Sequence, residues 1–379
     1  RARWPAPAGV PVTARGAGPV RAIGAEDVPT LWAGAQFYAP AFGEDGAEGL
    51  REWVTALLAE HGPVPLVRAE ALPPDTRCAA LGLVGSGTAL AELPPVGDEF
   101  TTALSGIERR LGQRVEAVFP LAAAALNALT PLVAACLRGL PLIDSDGMGR
   151  VFPLVQYTSL HLAGLPVGPV CAAGPAGESL TVEAASADRV ETMLRAQVHL
   201  MGGWAATASY PCAAAELRRA GLHGTVSRLL AAGRVLLAGG PVDRVVSQLS
   251  AVTGCRSVGR GRVVEVEQLT RPMEWAQPAH ASTVLVAESG GAGRLLQLEL
   301  QNDILLVLAD GALTAAVPDV ICLLDAVRGG VVGLDSLGGG EVVEVLVMPA
   351  APVWYSPAGL ALAGPRAFGL PVEHPRVAR

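Results

Sequence analysis

The feature that most constrains the fold is a change in the spacing of apolar residues along the chain. Up to about residue 168, helical patterns alternate with short apolar strands, as in the amphipathic stretch 48–61 and the strand-like stretch 64–67 that follows it. Beyond Cys255 the spacing is mainly two, as in residues 282–288. Residues 295–300 and 304–308 alternate in the same way and are predicted to form a hairpin about Gln301-Asn302-Asp303. The pattern predicts an α/β amino-terminal domain and an α+β carboxyl-terminal domain with a β-rich subdomain.

With 379 residues, the chain is long enough for two domains with separate cores. We predict the amino-terminal domain at residues 23–168 and the carboxyl-terminal domain at residues 169–373, with the β-rich part over about 256–350. Residues 1–22 are rich in Pro, Gly, Ala and Arg, and we expect them to form a disordered lead-in.

Composition narrows the range of functions. All 28 basic residues are arginine, so lysine chemistry such as Schiff-base formation is excluded. A net charge of -7 without a basic block argues against a nucleic-acid partner. Residues 119–137 are apolar but include Asn127, Thr130 and Pro131, which favours a buried helix over a membrane span. We therefore expect a small-molecule substrate and protein subunits, including copies of this chain, as partners.

The six cysteines are scattered, without a Cys-x-x-Cys pair, and most lie in apolar segments. This distribution is typical of reduced core thiols, and predicts a cytoplasmic protein.

Residues 143–161, which begin at the end of a short apolar strand, contain the strongest candidates for catalytic and ligand-binding side chains. Asp144, Asp146, Arg150 and His161 fall within this stretch, where a sheet delivers ligands to its carboxyl edge. Two carboxylates with a histidine can bind a divalent cation, or act as a base and the group that orients it. Arg150 suits a substrate carboxylate. The alternative is structural: Asp144 caps a turn and Arg150 pairs with Asp146.

Two glycines, Gly202 and Gly203, follow a predicted helix ending near Leu200. They form either a backbone cradle for an anion or a helix C-cap, and the C-cap is the favoured interpretation.

The run Ile143-Asp144-Ser145-Asp146-Gly147-Met148-Gly149-Arg150-Val151-Phe152-Pro153 closely resembles the signature of the S-methyl thiohydantoin desulfurase family, formerly a domain of unknown function numbered 917. Further segments match in the same order: Leu126-Asn127-Ala128-Leu129-Thr130-Pro131-Leu132, Met201-Gly202-Gly203, Tyr210-Pro211, Leu222-His223-Gly224-Thr225, Gln301-Asn302, Val317-Pro318-Asp319-Val320-Ile321-Cys322 and Gly364-Pro365-Arg366-Ala367-Phe368-Gly369. The resemblance covers about residues 23–372.

The resemblance implies hydrolysis of an S-methylated thiohydantoin ring, with release of methanethiol, and a hydantoinase or oxoprolinase type partner. Such a reaction needs a base or a metal-bound water, a proton donor and an anchor for the substrate. We assign the catalytic roles, and the ligands of a hypothetical divalent metal, to Asp144, Asp146 and His161. Substrate binding is assigned to Arg150, Gly202, Gly203 and Asn127.

Two positions depart from the family pattern. Family members usually carry a glycine cluster after the first helix, where this chain has Gly34-Ala35-Gln36-Phe37-Tyr38-Ala39-Pro40. Many also carry a glutamate where this chain has Ala122. These departures support an alternative function, a non-catalytic binding or regulatory subunit of a hydantoinase or oxoprolinase type system.

Overall fold

The computed structural model describes residues 21–40, 47–267, 282–301, 303–334 and 337–375. Its strands form two large sheets, one mixed and one antiparallel, together with a two-stranded ribbon. The predicted combination of an α/β amino-terminal domain and a β-rich carboxyl-terminal domain is confirmed.

The first sheet carries the parallel strands that position the site. Its strands run in the order β1-β2-β5-β4-β3-β9-β7-β8, and β2, β5, β4 and β3 are mutually parallel. The strands of this domain are β1 (Arg21–Ile23), β2 (Val64–Val67), β3 (Arg77–Gly85), β4 (Ala117–Pro120), β5 (Leu142–Ile143), β6 (Ser145–Asp146), β7 (Val170–Ala173), β8 (Ser179–Val182), β9 (Trp204–Ala213) and β10 (Leu222–His223). Strands β6 and β10 pair with each other as the small ribbon.

Helices cover both faces of this sheet and bury it in two apolar clusters. The helices are α1 (Val28–Phe37), α2 (Ala47–His61), α3 (Gly87–Glu92), α4 (Glu99–Leu111), α5 (Thr130–Arg138), α6 (Ser159–Leu162), α7 (Ala187–Leu200), α8 (Ala214–Ala220), α9 (Thr225–Ala238), α10 (Val242–Thr253) and α11 (Pro357–Ala363). Helix α2 confirms the periodicity argument, because Leu50, Val54 and Leu57 are buried on one face and Gly62, with a φ of 87°, follows its end.

The second sheet is antiparallel throughout, in the order β15-β14-β13-β12-β11-β17-β16. Its strands are β11 (Arg256–Glu267), β12 (Ser282–Glu288), β13 (Leu295–Leu300), β14 (Ile304–Ala309), β15 (Ala312–Ala316), β16 (Val320–Asp325) and β17 (Val342–Met348). Strands β13 and β14 form the predicted hairpin, although Asn302 in its turn lies outside the described residues.

The predicted division at residue 168 does not coincide with the division between the sheets. Strands β7 and β9 pair antiparallel with each other, and β9 pairs antiparallel with β3, so both extend the first sheet. The change in apolar spacing near Gly168 therefore falls within one sheet, where the pairing of neighbouring strands changes from parallel to antiparallel.

Residues 119–137 do not form the single buried helix that was predicted. A 3-10 turn covers Ala125–Ala128, and α5 begins only at Thr130, with Pro131 in its first turn. Across the described ranges, no helix is both long and apolar enough to cross a membrane.

All six cysteines are free thiols, and all except Cys136 are buried, as the sequence predicts for core thiols. Burial raises the pKa of Cys212 to about 12. These thiols are therefore poor nucleophiles, since the thiolate is the reactive form.

Helices α1 and α9 cross at two glycines that allow close backbone contact. A Cβ atom at Gly233 would lie 1.8 Å from the Thr30 carbonyl oxygen, and one at Gly34 would lie 1.9 Å from that of Leu229. We expect Gly233→Ala to lower the free energy of unfolding by about 2–3 kcal/mol, because the helices must separate. Urea denaturation measures this.

Gly49 is the matched control for this prediction. It lies on α2, and an added Cβ there would meet nothing within 4 Å. We expect Gly49→Ala to raise stability by about 0.5–1 kcal/mol through helix propensity. Equal effects of the two substitutions would contradict the account of the helix crossing.

Candidate functional site

A cleft of about 630 Å³ lies between the two domains. One wall comes from the carboxyl ends of β3 and β4 and from the loop that follows β6, and the opposite wall comes from β12, β13 and β14. Its lining is mixed in polarity and includes Leu83, Leu121, Asn127, Phe152, Gln301 and Asp303. Ligand sites commonly occupy such positions, at a domain interface and beyond the carboxyl ends of parallel strands.

Arg150 links the two walls of the cleft through an ion pair and hydrogen bonds. Its side chain is 2% exposed, and its guanidinium forms an ion pair with Asp303. Nη1 donates to the carbonyl oxygens of Pro318 at 3.1 Å and Asp319 at 2.7 Å. Burial raises the pKa of Asp303, and the Arg150 charge opposes that shift. Among the described residues, Nη1 and Nη2 of this guanidinium have partners and Nε has none, so Arg150 bonds mainly to the protein rather than to a ligand.

A second arginine holds the loop that follows β6. Arg195 on α7 pairs with Glu191 one turn earlier and donates to the Pro153 carbonyl oxygen at 2.8 Å. The other oxygen of Glu191 accepts from the Val155 amide at 2.9 Å. Both side chains line the cleft. This pair was missed in the sequence because an i,i+4 Glu-Arg spacing is typical of an exposed helix face.

Asn127 lies in the cleft wall as well. Its Oδ1 accepts from the Leu83 amide at 2.6 Å, which fixes the end of β3. The nearby Thr207 hydroxyl donates to the Gly82 carbonyl oxygen at 3.1 Å. Of the seven residues predicted for the site, Arg150 and Asn127 line the cleft, and the other five do not.

Asp146 is fully buried beside the cleft wall. Its Oδ2 accepts from the amides of Ala123 at 2.7 Å and Gly149 at 2.8 Å, while Oδ1 is buried without a partner in the described part of the chain. Burial raises its pKa to about 6, against the opposing effect of these amides, of the Arg228 charge and of the Met148 amide. A carboxyl group poised near neutral pH suits a general base.

Asp144 has a different environment from Asp146. Its two oxygens accept from the Ser227 amide at 3.0 Å and from the Ser227 hydroxyl at 2.6 Å, and its own carbonyl oxygen accepts from the Gly224 amide at 2.9 Å. Asp144 therefore caps the amino-terminal end of α9. The sequence analysis gave a capping role for Asp144 as the structural alternative, and the structure differs from it only in that Asp144 caps a helix rather than a turn.

The three residues assigned to a metal do not fit one in this structure. Within the described ranges, no group of three or more His, Cys, Asp or Glu side chains could hold a metal ion. Asp144 and Asp146 already accept from amides, and His161 lies on α6, where its amide donates to the Thr158 hydroxyl at 3.0 Å. The metal hypothesis on Asp144, Asp146 and His161 is corrected accordingly, because these three side chains do not form a metal-binding group in the described part of the chain.

Gly202 and Gly203 end helix α7 rather than line the cleft. Both have positive φ, 82° and 92°, and the Gly203 amide donates to the Val198 carbonyl oxygen at 3.1 Å. The Gly203 carbonyl oxygen accepts from the Ser86 amide at 3.0 Å. The pair is therefore a helix C-cap in place of the substrate-binding cradle.

Two polar side chains at the amino-terminal end of α9 have buried atoms without hydrogen-bond partners in the described part of the chain. Thr225 is 3% exposed, and its hydroxyl has no partner among the described residues, as is the case for Nε of Arg228. The positive charge of Arg228 acts to lower the pKa of both Asp146 and Tyr38, against the larger effect of burial. Arg228 was missed because a single arginine on an amphipathic helix is indistinguishable from a solvated one.

The fold and the cleft define a two-domain α/β and β protein with a small-molecule-sized site between its domains. The chain belongs to the S-Me-THD-like family: the N-terminal domain of that family matches residues 26–184, and the C-terminal domain matches residues 185–377.

A solved structure supports this fold assignment. The X-ray structure of a Chromobacterium violaceum protein, a structural genomics target, has a TM-score of 0.76 and 21% identity, covering 93% of this chain and 98% of that chain. That likeness concerns the fold alone. No curated protein matches this chain significantly.

Proposed function

We propose that this protein is a hydrolase that removes the methylthio group from a hydantoin-like five-membered ring. The observation that carries the proposal is Asp146, a buried carboxylate with one oxygen held by two amides and the other without a partner, whose pKa is raised to about 6. A base with this pKa is largely ionised at neutral pH and still accepts a proton readily. Membership of the S-Me-THD-like family supports the choice of substrate.

In the proposed reaction, Asp146 takes a proton from water as the water oxygen bonds to the ring carbon that carries sulfur. The carbon-sulfur bond then breaks, and the electron pair leaves with sulfur. The two protons of water end on the ring nitrogen and on the departing sulfur, so that the products are a ring carbonyl and methanethiol. Asp146 passes on the proton that it took and is regenerated.

The cleft suits the rest of such a substrate. Its volume of about 630 Å³ exceeds that of a five-membered ring several-fold, and apolar side chains such as Leu121, Phe152 and Leu305 line it. We therefore infer a substrate with a bulky apolar substituent on the ring. The segments 121–127 and 148–155 both contribute to the cleft wall, and Asp146 links them through the amides of Ala123 and Gly149.

The test is methanethiol release from S-methylated thiohydantoins that carry a benzyl or a methyl substituent, with and without divalent metal. We expect turnover, faster with benzyl, and we expect Asp146→Asn to lower kcat by about 100-fold or more. Asp75→Asn, at an exposed carboxylate, is the matched control and should have no effect. Absence of methanethiol above the spontaneous rate, or full activity of Asp146→Asn, would overturn the proposal.

A second candidate function is a non-catalytic subunit of a hydantoinase or oxoprolinase type system. The observation that favours it is the buried apolar segment Ala122–Ala125 at the position of the family's glutamate, next to a carboxylate that caps amides. It predicts a stable complex with such a partner and no turnover by either protein alone. Robust turnover by this chain alone would exclude it.

A further inference from the structure

Two polar side chains meet at one point of the cleft wall. Asn127 and Thr207 both line the cleft. A Cβ atom added at Gly82 on β3 would lie 3.1 Å from Asn127 Oδ1 and 3.5 Å from Thr207 Oγ1. Because Gly82 has no side chain, the polar groups of Asn127 and Thr207 can lie side by side against β3.

The hydrogen bond to Leu83 decides which way the Asn127 side-chain amide points. The backbone amide of Leu83 can only donate, so the Asn127 atom 2.6 Å from it is the oxygen Oδ1 rather than Nδ2. Nδ2 has no hydrogen-bond partner among the described residues, and it is accessible to solvent. Asn127 therefore offers an N–H donor to a ligand in the cleft.

Thr207 offers the complementary group, an acceptor. Its hydroxyl donates its single proton to the Gly82 carbonyl oxygen at 3.1 Å. The residue is 4% exposed, and its Oγ1 accepts no hydrogen bond from the described part of the chain. With its proton engaged, this hydroxyl can act toward a ligand only as an acceptor.

The charges of the cleft favour a neutral ligand. Among the described residues that line the cleft, the charged ones are Arg150, Glu191, Arg195 and Asp303, and they form two ion pairs within the protein. A charged ligand would add a charge that none of these pairs balances. A neutral group that carries an N–H next to a carbonyl oxygen instead matches the acceptor of Thr207 and the donor of Asn127.

We propose that Asn127 and Thr207 bind the amide edge of the substrate ring, with Asn127 Nδ2 donating to the ring carbonyl oxygen and Thr207 Oγ1 accepting from the adjacent ring N–H. This assignment rests on the proposed function for the choice of a five-membered ring. It adds Thr207 as a specificity-determining residue. It also positions the reacting carbon, because the carbon that carries sulfur is bonded to the nitrogen that Thr207 holds.

Two positional isomers test the recognition of this edge. In 5-benzyl-1-methylhydantoin the nitrogen between the two carbonyl groups keeps its hydrogen, whereas in 5-benzyl-3-methylhydantoin that nitrogen carries the methyl group. Calorimetric titration of the full chain with each isomer measures the affinities. We expect the 1-methyl isomer to bind at least about tenfold more tightly, because only this isomer has the N–H that Thr207 accepts.

Two variants each remove one of the two polar groups. Thr207→Val keeps the size of the side chain and removes the acceptor, while Asn127→Asp keeps an oxygen for the Leu83 amide and removes the donor. We expect each to lower the affinity for the 1-methyl isomer about tenfold, and Thr207→Val to bind the two isomers within about twofold of each other. A purely structural defect would lower both affinities and keep their ratio. Thr192→Val, the same change at an exposed position of α7 outside the cleft, is the matched control and should leave both affinities unchanged.

The outcomes separate this proposal from the proposed function. No saturable binding of the 1-methyl isomer, or equal binding of the two isomers by the wild-type protein, would overturn the recognition of this edge whatever the variants do. An unchanged ratio in a folded Thr207→Val variant would overturn the role of Thr207. Selective binding without methanethiol release would reject the hydrolase alone, and methanethiol release without selective binding would reject the recognition site alone.

Discussion

Arg150→Met is expected to lower the free energy of unfolding by about 3–5 kcal/mol, because it leaves the carboxylate of Asp303 buried without its counter-charge. Arg150 is 2% exposed, and it also donates to the carbonyl oxygens of Pro318 and Asp319. Methionine fills much of the same volume, so the loss reports the charge rather than a cavity. Chemical denaturation at neutral pH measures the effect.

Two further variants sharpen this prediction. The double variant Arg150→Met, Asp303→Asn removes the unpaired charge, and we expect it to regain about half of the lost stability or more. Arg366 pairs with Glu373 at the surface, where the two side chains are 72% and 54% exposed, and Arg366→Met should cost about 1 kcal/mol at most. Equal losses in Arg150→Met and Arg366→Met would contradict the role of the buried pair.

Asp146 is expected to make the protein less stable as pH rises. Burial raises its pKa from the ordinary 3.8 to about 6 in the folded state, so the folded state binds the proton more tightly than the unfolded state does. The stabilisation is fully present below about pH 4 and is lost as pH rises through about 6, a total of about 3 kcal/mol. Urea denaturation at intervals between these pH values measures the slope.

Asp146→Asn isolates this contribution, because the asparagine oxygen can still accept from the amides of Ala123 and Gly149. Other titrating groups are common to both proteins and cancel in the difference between their unfolding free energies. We expect the variant to gain about 2–3 kcal/mol relative to the wild type between about pH 4 and pH 7. Parallel pH profiles would show that Asp146 is not the buried titrating group described here.

Local pattern was sufficient for much of the fold. Helix α2 followed from the spacing of Leu50, Val54 and Leu57, and the hairpin of β13 and β14 followed from two alternating runs around a polar turn. The secondary structure of residues 119–137 was harder to predict from the sequence. Its apolar composition fits both a helix and a close-packed loop, and only the contacts of Ala123 and Asn127 with other segments decided between them.

The sequence predicted where the site lies, but it did not predict which partners its side chains have. The run from Asp144 to Arg150 does border the cleft, but the partners of its side chains lie far away in the chain. Ser227 engages Asp144 and Asp303 engages Arg150, at separations of 83 and 153 residues. Arg228 carried no local signal, since its significance depends on the distant carboxylate of Asp146.

The sequence by itself determined the two-domain architecture, the family, and the position of the acidic run at the carboxyl edge of a sheet, because these depend on short-range periodicity and on a contiguous motif. Tertiary structure alone decided what each carboxylate does. Asp144 and Asp146 differ by two residues in sequence, yet one caps a helix and the other is left with a free oxygen and a raised pKa. Burial and long-range donors set that difference, and neither is written in the local pattern.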